Sequence, residues 1–338
     1  MQIAWLASMP MARPPDAGAL ARAIAPACGE GSIVDLRRLS GGASRETWSF
    51  DLLSKDGERT SLVLRRDPGE HSGWSERSTE YLLCERAAAA GVAVPRVRTL
   101  LRTEDGLGHG FVMDRVDGET IPRKILRDET YAEARPRLAV QCGEIAARIH
   151  AIEPDSLPPL PVQGAAAQVD QYRALLDTFG EPHPAFELAL RWLADRIPAA
   201  PTRPRLVHGD FRNGNFIVGP EGIRAVLDWE LAHLGDPIED LGWLCVKSWR
   251  FGVADQLVGG FGATSDLLTA YEDAGGGKVD EDTLRFWVAL GTLKWGVICV
   301  GQAFTHLSGL VRSVELATLG RRVAETEWDV LQILDGGW

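Results

Sequence analysis

The sequence predicts an α+β fold of two lobes: an N-terminal antiparallel sheet with one main helix, then a mostly helical C-terminal lobe. Three patterns predict it. Between residues 33 and 66, short β-rich runs alternate with turn signals. One helix-like stretch and a second strand pair follow. Beyond residue 118, apolar residues recur at helical spacing almost to the C-terminus, with a few strand-like runs around residues 205–227.

The elements follow in order. The first ~15 residues read as a tail, and Asp16 to Cys28 as a short Ala-rich helix with Leu20 and Ile24 on its apolar face. Ile33–Leu36, Thr47–Leu52 and Ser61–Arg65 read as three strands, joined through Ser40-Gly41-Gly42-Ala43-Ser44 and Lys55-Asp56-Gly57. A helix over about Ser75–Ala90 stops at Gly91, and Pro95 bars its continuation. Val97–Leu101 and Gly110–Met113 then pair around Glu104-Asp105-Gly106. Past Asp117-Gly118 helices are expected at 131–152, 166–178 and 184–197, and Arg205–Val207 is a short strand. Phe216–Val218 and Ile223–Leu227 form a hairpin, and everything beyond Pro237 reads helical, with clear stretches at 280–306 and 310–334. The expected organisation is a tail and short helix over 1–30, an N-lobe over 31–117 and a helical C-lobe over 118–338, with a hinge near 114–118.

Composition removes several classes. A formal charge of -11 argues against broad binding to nucleic-acid backbones, which requires a basic stripe. No run reaches the roughly 18 apolar residues of a membrane helix, and the N-terminus lacks a basic, apolar leader, so neither membrane nor export is expected. The five cysteines (28, 84, 142, 245, 299) are scattered, which suits reduced thiols in a cytoplasmic protein better than disulfides or zinc. The acidity suits a cationic substrate, although solubility explains it as well.

The chemistry concentrates in His208-Gly209-Asp210-Phe211-Arg212-Asn213-Gly214-Asn215, which has the spacing H-x-D-x-x-x-x-N, and in the later Asp228. Phosphoryl transfer needs a carboxylate to orient and deprotonate the attacking hydroxyl, and Asp210 is placed to be that catalytic base. It also needs hard oxygen ligands for magnesium. The amide of Asn215 and the carboxylate of Asp228, written here as Asp228-Trp229-Glu230, can supply them. Asp210 and Asn213 would equally cap a turn. The loop's position favours the catalytic reading, because it lies between a short strand and a hairpin ending on Asp228, behind a strand-rich lobe.

These segments resemble the aminoglycoside phosphotransferase (choline kinase-like) family, closest to the kinase-like domains fused to some acyl-CoA dehydrogenases. The resemblance rests on Leu206–Phe216, Val226–Glu230 and Gly235–Gly242, and extends upstream to Val63–Pro68 and Phe111–Gly118. It implies a bilobal protein kinase-like fold and an ATP- and Mg2+-dependent transfer to a small hydroxylated acceptor. Arg65 then stands where kinases usually place the lysine that holds the α/β-phosphates, with Glu80 as its partner ahead of Glu76 and Glu85. Ser40, Gly41, Gly42 and Ser44 correspond to the loop that covers the phosphates, and Met113, Asp114 and Val116 to the hinge beside adenine. Asp236 and Asp240 are expected to brace the catalytic loop, and His208 to pack and hydrogen-bond. Tryptophans 243, 249, 287, 295 and 328 are expected in the core by default, with one or two able to line an acceptor pocket.

Two other functions compete. A catalytically silent nucleotide-binding module is opposed by the joint presence of Asp210, Asn215 and Asp228. A protein kinase is opposed by the missing A-P-E and D-F-G motifs and by the short span from Trp229 to Gly235, too little for an activation segment. Among acceptors, an aminoglycoside-like compound would want an acidic pocket. A hydroxyacyl-CoA-like compound would want apolar walls, which Phe286, Trp287, Trp295, Phe304 and Leu307 mildly favour. Oligomeric state is not legible.

Overall fold

A computed structural model describes residues 14–39, 46–67 and 77–337 of the chain. Helix α1 (Ala17–Cys28) starts where Asp16 accepts the Ala19 N–H at 2.6 Å, an N-cap that satisfies one of the helix's orphan donors. Strands β1 (Gly31–Arg38), β2 (Glu46–Ser54), β3 (Arg59–Asp67), β4 (Val97–Leu100) and β5 (His109–Asp114) form one antiparallel sheet, ordered β1-β2-β3-β5-β4. Helix α2 (Arg77–Ala89) separates β3 from β4.

The two-residue period of the strands sorts the sheet's faces. Phe50, Leu52, Leu62, Leu64 and Val112 pack with Leu20 and Ile24 of α1. Val63, Phe111 and Met113 point the other way, toward Tyr81 of α2. Arg65 shares the parity of Val63, so it also points to the α2 side. Strand alternation thereby carries a cation to the helix that bears Glu80.

The C-lobe runs α3 (Pro122–Arg127), α4 (Arg135–His150), α5 (Ala165–Phe179), α6 (Pro184–Ala194), β6 (Arg205–Val207), β7 (Phe216–Gly219), β8 (Gly222–Val226), β9 (His233–Gly235), α7 (Ile238–Cys245), α8 (Thr264–Asp273), α9 (Glu281–Leu307), α10 (Val314–Gly320) and α11 (Val323–Leu334). Helix α9 opens on Asp280, which accepts from Asp282 and Thr283 N–H, and α5, α6, α7, α10 and α11 all pack on it. The β7–β8 hairpin forms as expected.

Three features differ from the sequence expectations. The stretch 310–334 is two helices, because the chain turns at Gly320–Arg322. Strand β9 pairs with β6 and folds the chain after Asp228 back beside the strand that enters the catalytic loop. Its three residues are too few for a readable period. Trp328 is 61% exposed rather than in the core, whereas Trp243, Trp249 and Trp287 are buried.

Helix α9 is long and apolar enough by composition to cross a membrane, but 72% of its apolar stretch is buried inside the C-lobe. All five cysteines are free thiols.

Candidate active site

The catalytic loop joins β6 to β7, and its backbone is held at both ends. Asp240, fully buried near the start of α7, accepts the N–H of His208 at 2.8 Å and of Gly209 at 2.9 Å. Its remaining contact is with His150 Nε2 at 3.1 Å, and His150 Nδ1 meets the Tyr271 hydroxyl at 2.9 Å. Burial opposes the charge of Asp240, but these partners more than offset it and hold its carboxyl below the ordinary aspartate range. Gly209 sits at φ +80, and a Cβ there would come within 2.4 Å of the Leu231 carbonyl, so only glycine fits the turn. From the other side, the Lys294 ammonium donates to the Gly209 carbonyl at 3.1 Å.

His208 is buried beneath the loop. Its Nδ1 accepts the Asp210 N–H at 3.2 Å, which leaves the Nε2 proton for the Leu227 carbonyl at 3.0 Å. Burial depresses its pKa, consistent with the neutral tautomer these two contacts need. One ring therefore ties the catalytic loop to the end of β8, beside Asp228.

Asp210 is held by three side chains. Its Oδ1 accepts from Arg212 Nε at 2.9 Å and from Trp243 Nε1 at 2.8 Å, and its Oδ2 accepts from Asn215 Nδ2 at 2.6 Å. Asn215 Nδ2 also donates to the Asp210 carbonyl at 2.9 Å. Both amide protons of Asn215 are thus committed to Asp210, which leaves its amide oxygen for a cation. Asn213 turns away and donates to the Gly259 carbonyl at 2.7 Å.

Asp228 follows β8 in the left-handed conformation (φ 64, ψ 63), a geometry aspartate tolerates at a cost of about 1 kcal/mol. The Leu227 N–H donates to the Asn215 carbonyl at 2.8 Å, so the segments bearing the two oxygen donors are tied together. Arg65 bridges the lobes, with Nη1 2.6 Å from Asp228 Oδ1 and 3.2 Å from Glu80 Oε1. The surrounding protein opposes ionisation of Asp228, but the Arg65 guanidinium holds its carboxyl below the ordinary range. Glu80 is shared with a second arginine, Arg77, at 2.5 Å, and Arg77 forks onto Asp67 at 3.0 and 3.1 Å.

The sequence matches the family described as "Phosphotransferase enzyme family" over residues 35–280. The chain belongs to that family. It shares the kinase-like fold of that family of phosphotransferase enzymes. It is 28% identical over 323 residues to mouse acyl-CoA dehydrogenase family member 10, covering 88% of this chain and 29% of that protein. It is 28% identical over 306 residues to chicken acyl-CoA dehydrogenase family member 11, covering 82% of this chain and 37% of that protein. The chain thus spans about a third of the length of these relatives. Among solved structures, a putative aminoglycoside phosphotransferase from Ralstonia eutropha superposes with a TM-score of 0.76 at 22% identity, over 94% of this chain and 98% of that one. Spectinomycin phosphotransferase APH(9)-Ia, solved with ADP and spectinomycin, gives 0.64 at 14% identity, over 95% and 99%.

Asp210 contacts Asn215, whose carbonyl accepts from Leu227 beside Asp228, and Arg65 joins Asp228 to Glu80 across the two lobes. Met113 lies in β5, paired with Val63 and Val97, and is nearly buried. The Asp114 carboxylate is taken by Arg98 at 2.5 and 3.0 Å, and the N–H groups of Asp114 and Arg115 donate to the Arg96 and Ser61 carbonyls at 2.8 and 3.0 Å. Val116 is half-buried in the crossing between the lobes, just before the Glu119–Val218 bridge. Ser40, Gly41, Gly42 and Ser44 lie outside the described residues.

One bracing assignment needs correction. Asp240 contacts the loop, but Asp236 does not, since it accepts instead from Ile238 N–H at 3.0 Å and Trp287 Nε1 at 3.1 Å, fixing the entry to α7. Sequence reasoning missed Arg77, Arg212, Trp243 and Lys294. Arg212 sits inside the motif itself and was the one most open to discovery. The other three lie on elements whose approach to the loop depends on tertiary packing.

Proposed function

We propose that the chain is an ATP- and magnesium-dependent phosphotransferase that moves the γ-phosphate to a hydroxyl of a small molecule. One observation carries this reading: a carboxylate held by three donors beside the oxygen donors Asn215 and Asp228, with a buried cation between the lobes. Asp210 would be the general base for the acceptor hydroxyl. Arg65, fixed by Glu80, would hold the α/β-phosphates. Its pKa is raised by Glu80 and Asp228 despite burial, so it is a permanent cation.

The residues present fit magnesium. Asn215 and Asp228 offer hard oxygen donors, and among the described residues no three His, Cys, Asp or Glu side chains gather to hold a metal alone. That is the pattern of an ion completed by phosphate oxygens and water. Bound there, magnesium would neutralise charge on the phosphates. Ser40, Gly41, Gly42 and Ser44 would cover the phosphates, and Met113, Asp114 and Val116 would meet the adenine edge. Catalysis would come from positioning and electrostatics, with no covalent enzyme intermediate.

For the acceptor, aminoglycoside-like and hydroxyacyl-CoA-like compounds remain the candidates. Trp243, Trp249 and Trp295 pack edge-on and tilted in sequence, at 5.1 and 4.9 Å between centroids, and the Arg212 guanidinium lies 4.5 Å over the Trp249 ring. An aromatic wall beside Asp210 favours an acceptor with an apolar part.

The test is ATP consumption with magnesium over aminoglycosides, choline-like amines, sugars and hydroxyacyl-CoAs, run beside Asp210→Ala. Turnover on one acceptor class that vanishes in the variant is expected. Equal turnover in the variant would remove Asp210 as the base. ATP binding without turnover on any acceptor would favour a silent nucleotide-binding module.

A further inference from the structure

The three donors to Asp210 are unequally divided between its oxygens. A carboxylate oxygen has two lone-pair directions. Oδ1 receives both Arg212 Nε and Trp243 Nε1, so it is saturated, while Oδ2 receives Asn215 Nδ2 and keeps one direction open. Trp243 belongs to α7, outside the catalytic loop, and is 4% exposed.

The indole is itself supported from below. The Lys294 ammonium of α9 lies 4.5 Å from its ring centroid, within cation–π range. A cation on the face draws electron density from the ring and strengthens its N–H as a donor. Lys294 is fixed in turn by the Gly209 carbonyl at 3.1 Å and by Glu239 Oε1 at 3.8 Å. Glu239 is anchored by Gln168 at 2.6 Å and His233 at 3.1 Å. Burial opposes the charge on Lys294, yet Tyr172, Glu239, Asp210 and Asp240 around it keep its pKa raised. A core tryptophan needs none of these polar contacts.

We propose that Trp243, backed by Lys294, is a positioning residue that commits Oδ1 of Asp210 to a fixed hydrogen bond, so that Oδ2 alone receives the acceptor's proton. The inference rests on Asp210 being the base. As the acceptor oxygen bonds to the γ-phosphorus, its proton passes to Oδ2. The bond from that phosphorus to the bridging oxygen breaks, and ADP leaves with the electron pair.

The test has one readout that needs no acceptor. In the full chain labelled with 15N-tryptophan, Trp243→Phe should remove one of the eleven indole N–H resonances and so assign it. That resonance should lie at the low-field end and move upfield in Asp210→Ala and in Lys294→Met. The Trp192 resonance, from α6, should stay in place. Should Trp243→Phe fail to fold, the resonance that moves in both of the other variants identifies Trp243.

On an acceptor found in the screen, Trp243→Phe should lower kcat about 10- to 100-fold, the worth of one hydrogen bond to a charged group. The KM for ATP should stay within about twofold, since Trp243 does not face the nucleotide residues. Lys294→Met should act in the same direction, and Lys294→Arg should recover most of the loss. An indole resonance unmoved by Asp210→Ala, or full kcat in Trp243→Phe while Asp210→Ala is inactive, overturns this inference alone. Full turnover in Asp210→Ala overturns the assignment of the base, and this inference with it.

Discussion

In the N-lobe half of the site, Asp67, Arg77, Glu80 and Arg65 form a chain of alternating charges that ends across the cleft on Asp228. In the C-lobe half, the catalytic loop is held mainly through its backbone, whose N–H groups donate to Asp240 and whose Gly209 carbonyl accepts from Lys294, and by three donors to Asp210. The materials differ because the tasks differ. A guanidinium between two carboxylates can exchange one anion for another, and Asp228, with 40% of its side chain exposed, can be reached by a ligand. A loop whose N–H groups are buried against one carboxylate has no alternative partners. On the proposed reading, the C-lobe half is preformed and the N-lobe half would trade Asp228 for phosphate.

The largest expected effect falls on the preformed half. Asp210→Asn should lower turnover about 10²- to 10⁴-fold, the usual worth of a general base, with ATP affinity by calorimetry unchanged. A matching loss of ATP affinity would mean the loop also holds nucleotide. Next, Asp240→Ala strands the N–H groups of His208 and Gly209, at about 1–3 kcal/mol for each buried donor left unpaired. Urea denaturation should show a loss of about 3 kcal/mol in total. A loss under 1 kcal/mol would show that water or a neighbour replaces the carboxylate.

The exchangeable half should respond more mildly. Arg65→Lys keeps the charge but offers a compact ammonium in place of a fork. It should weaken ATP binding about tenfold, the scale of one charge-assisted contact, with little change in unfolding midpoint. A folding defect larger than that of Asp240→Ala would reverse the comparison.

The smallest effect concerns pH. Burial lowers the pKa of His208 below its unfolded value. Between that lowered pKa and about 6.5 the unfolded chain binds the proton more readily, so this residue's contribution to stability rises with pH across that window. A ring-proton NMR titration should find His208 neutral at pH 6.5. A protonated ring there would mean the Nδ1 contact with the Asp210 N–H is broken.

The parts of this site legible in the sequence were those fixed by short-range spacing. H-x-D-x-x-x-x-N placed Asp210 and Asn215 on one loop, and strand parity put Arg65 on the face of Val63, toward α2. Glu80 lies on that helix, in contact with Arg65 while Glu85 is not. What stayed hidden depended on packing at long range. Trp243 follows Asp210 by 33 positions and Lys294 follows Gly209 by 85, and each looked like an ordinary residue of an apolar helix. Strand β9 was hidden because three residues carry no period, and the break near Gly320 because the apolar spacing runs across it.

The division between the two halves is tested most directly by a crystal structure with magnesium and a non-hydrolysable ATP analogue. Arg65 Nη1 should move off Asp228, now 2.6 Å away, onto a phosphate oxygen, while Arg212, Trp243 and Asn215 keep their contacts to Asp210. An Arg65–Asp228 pair that persists beside bound nucleotide, or an Asp210 that changes partners, would contradict it.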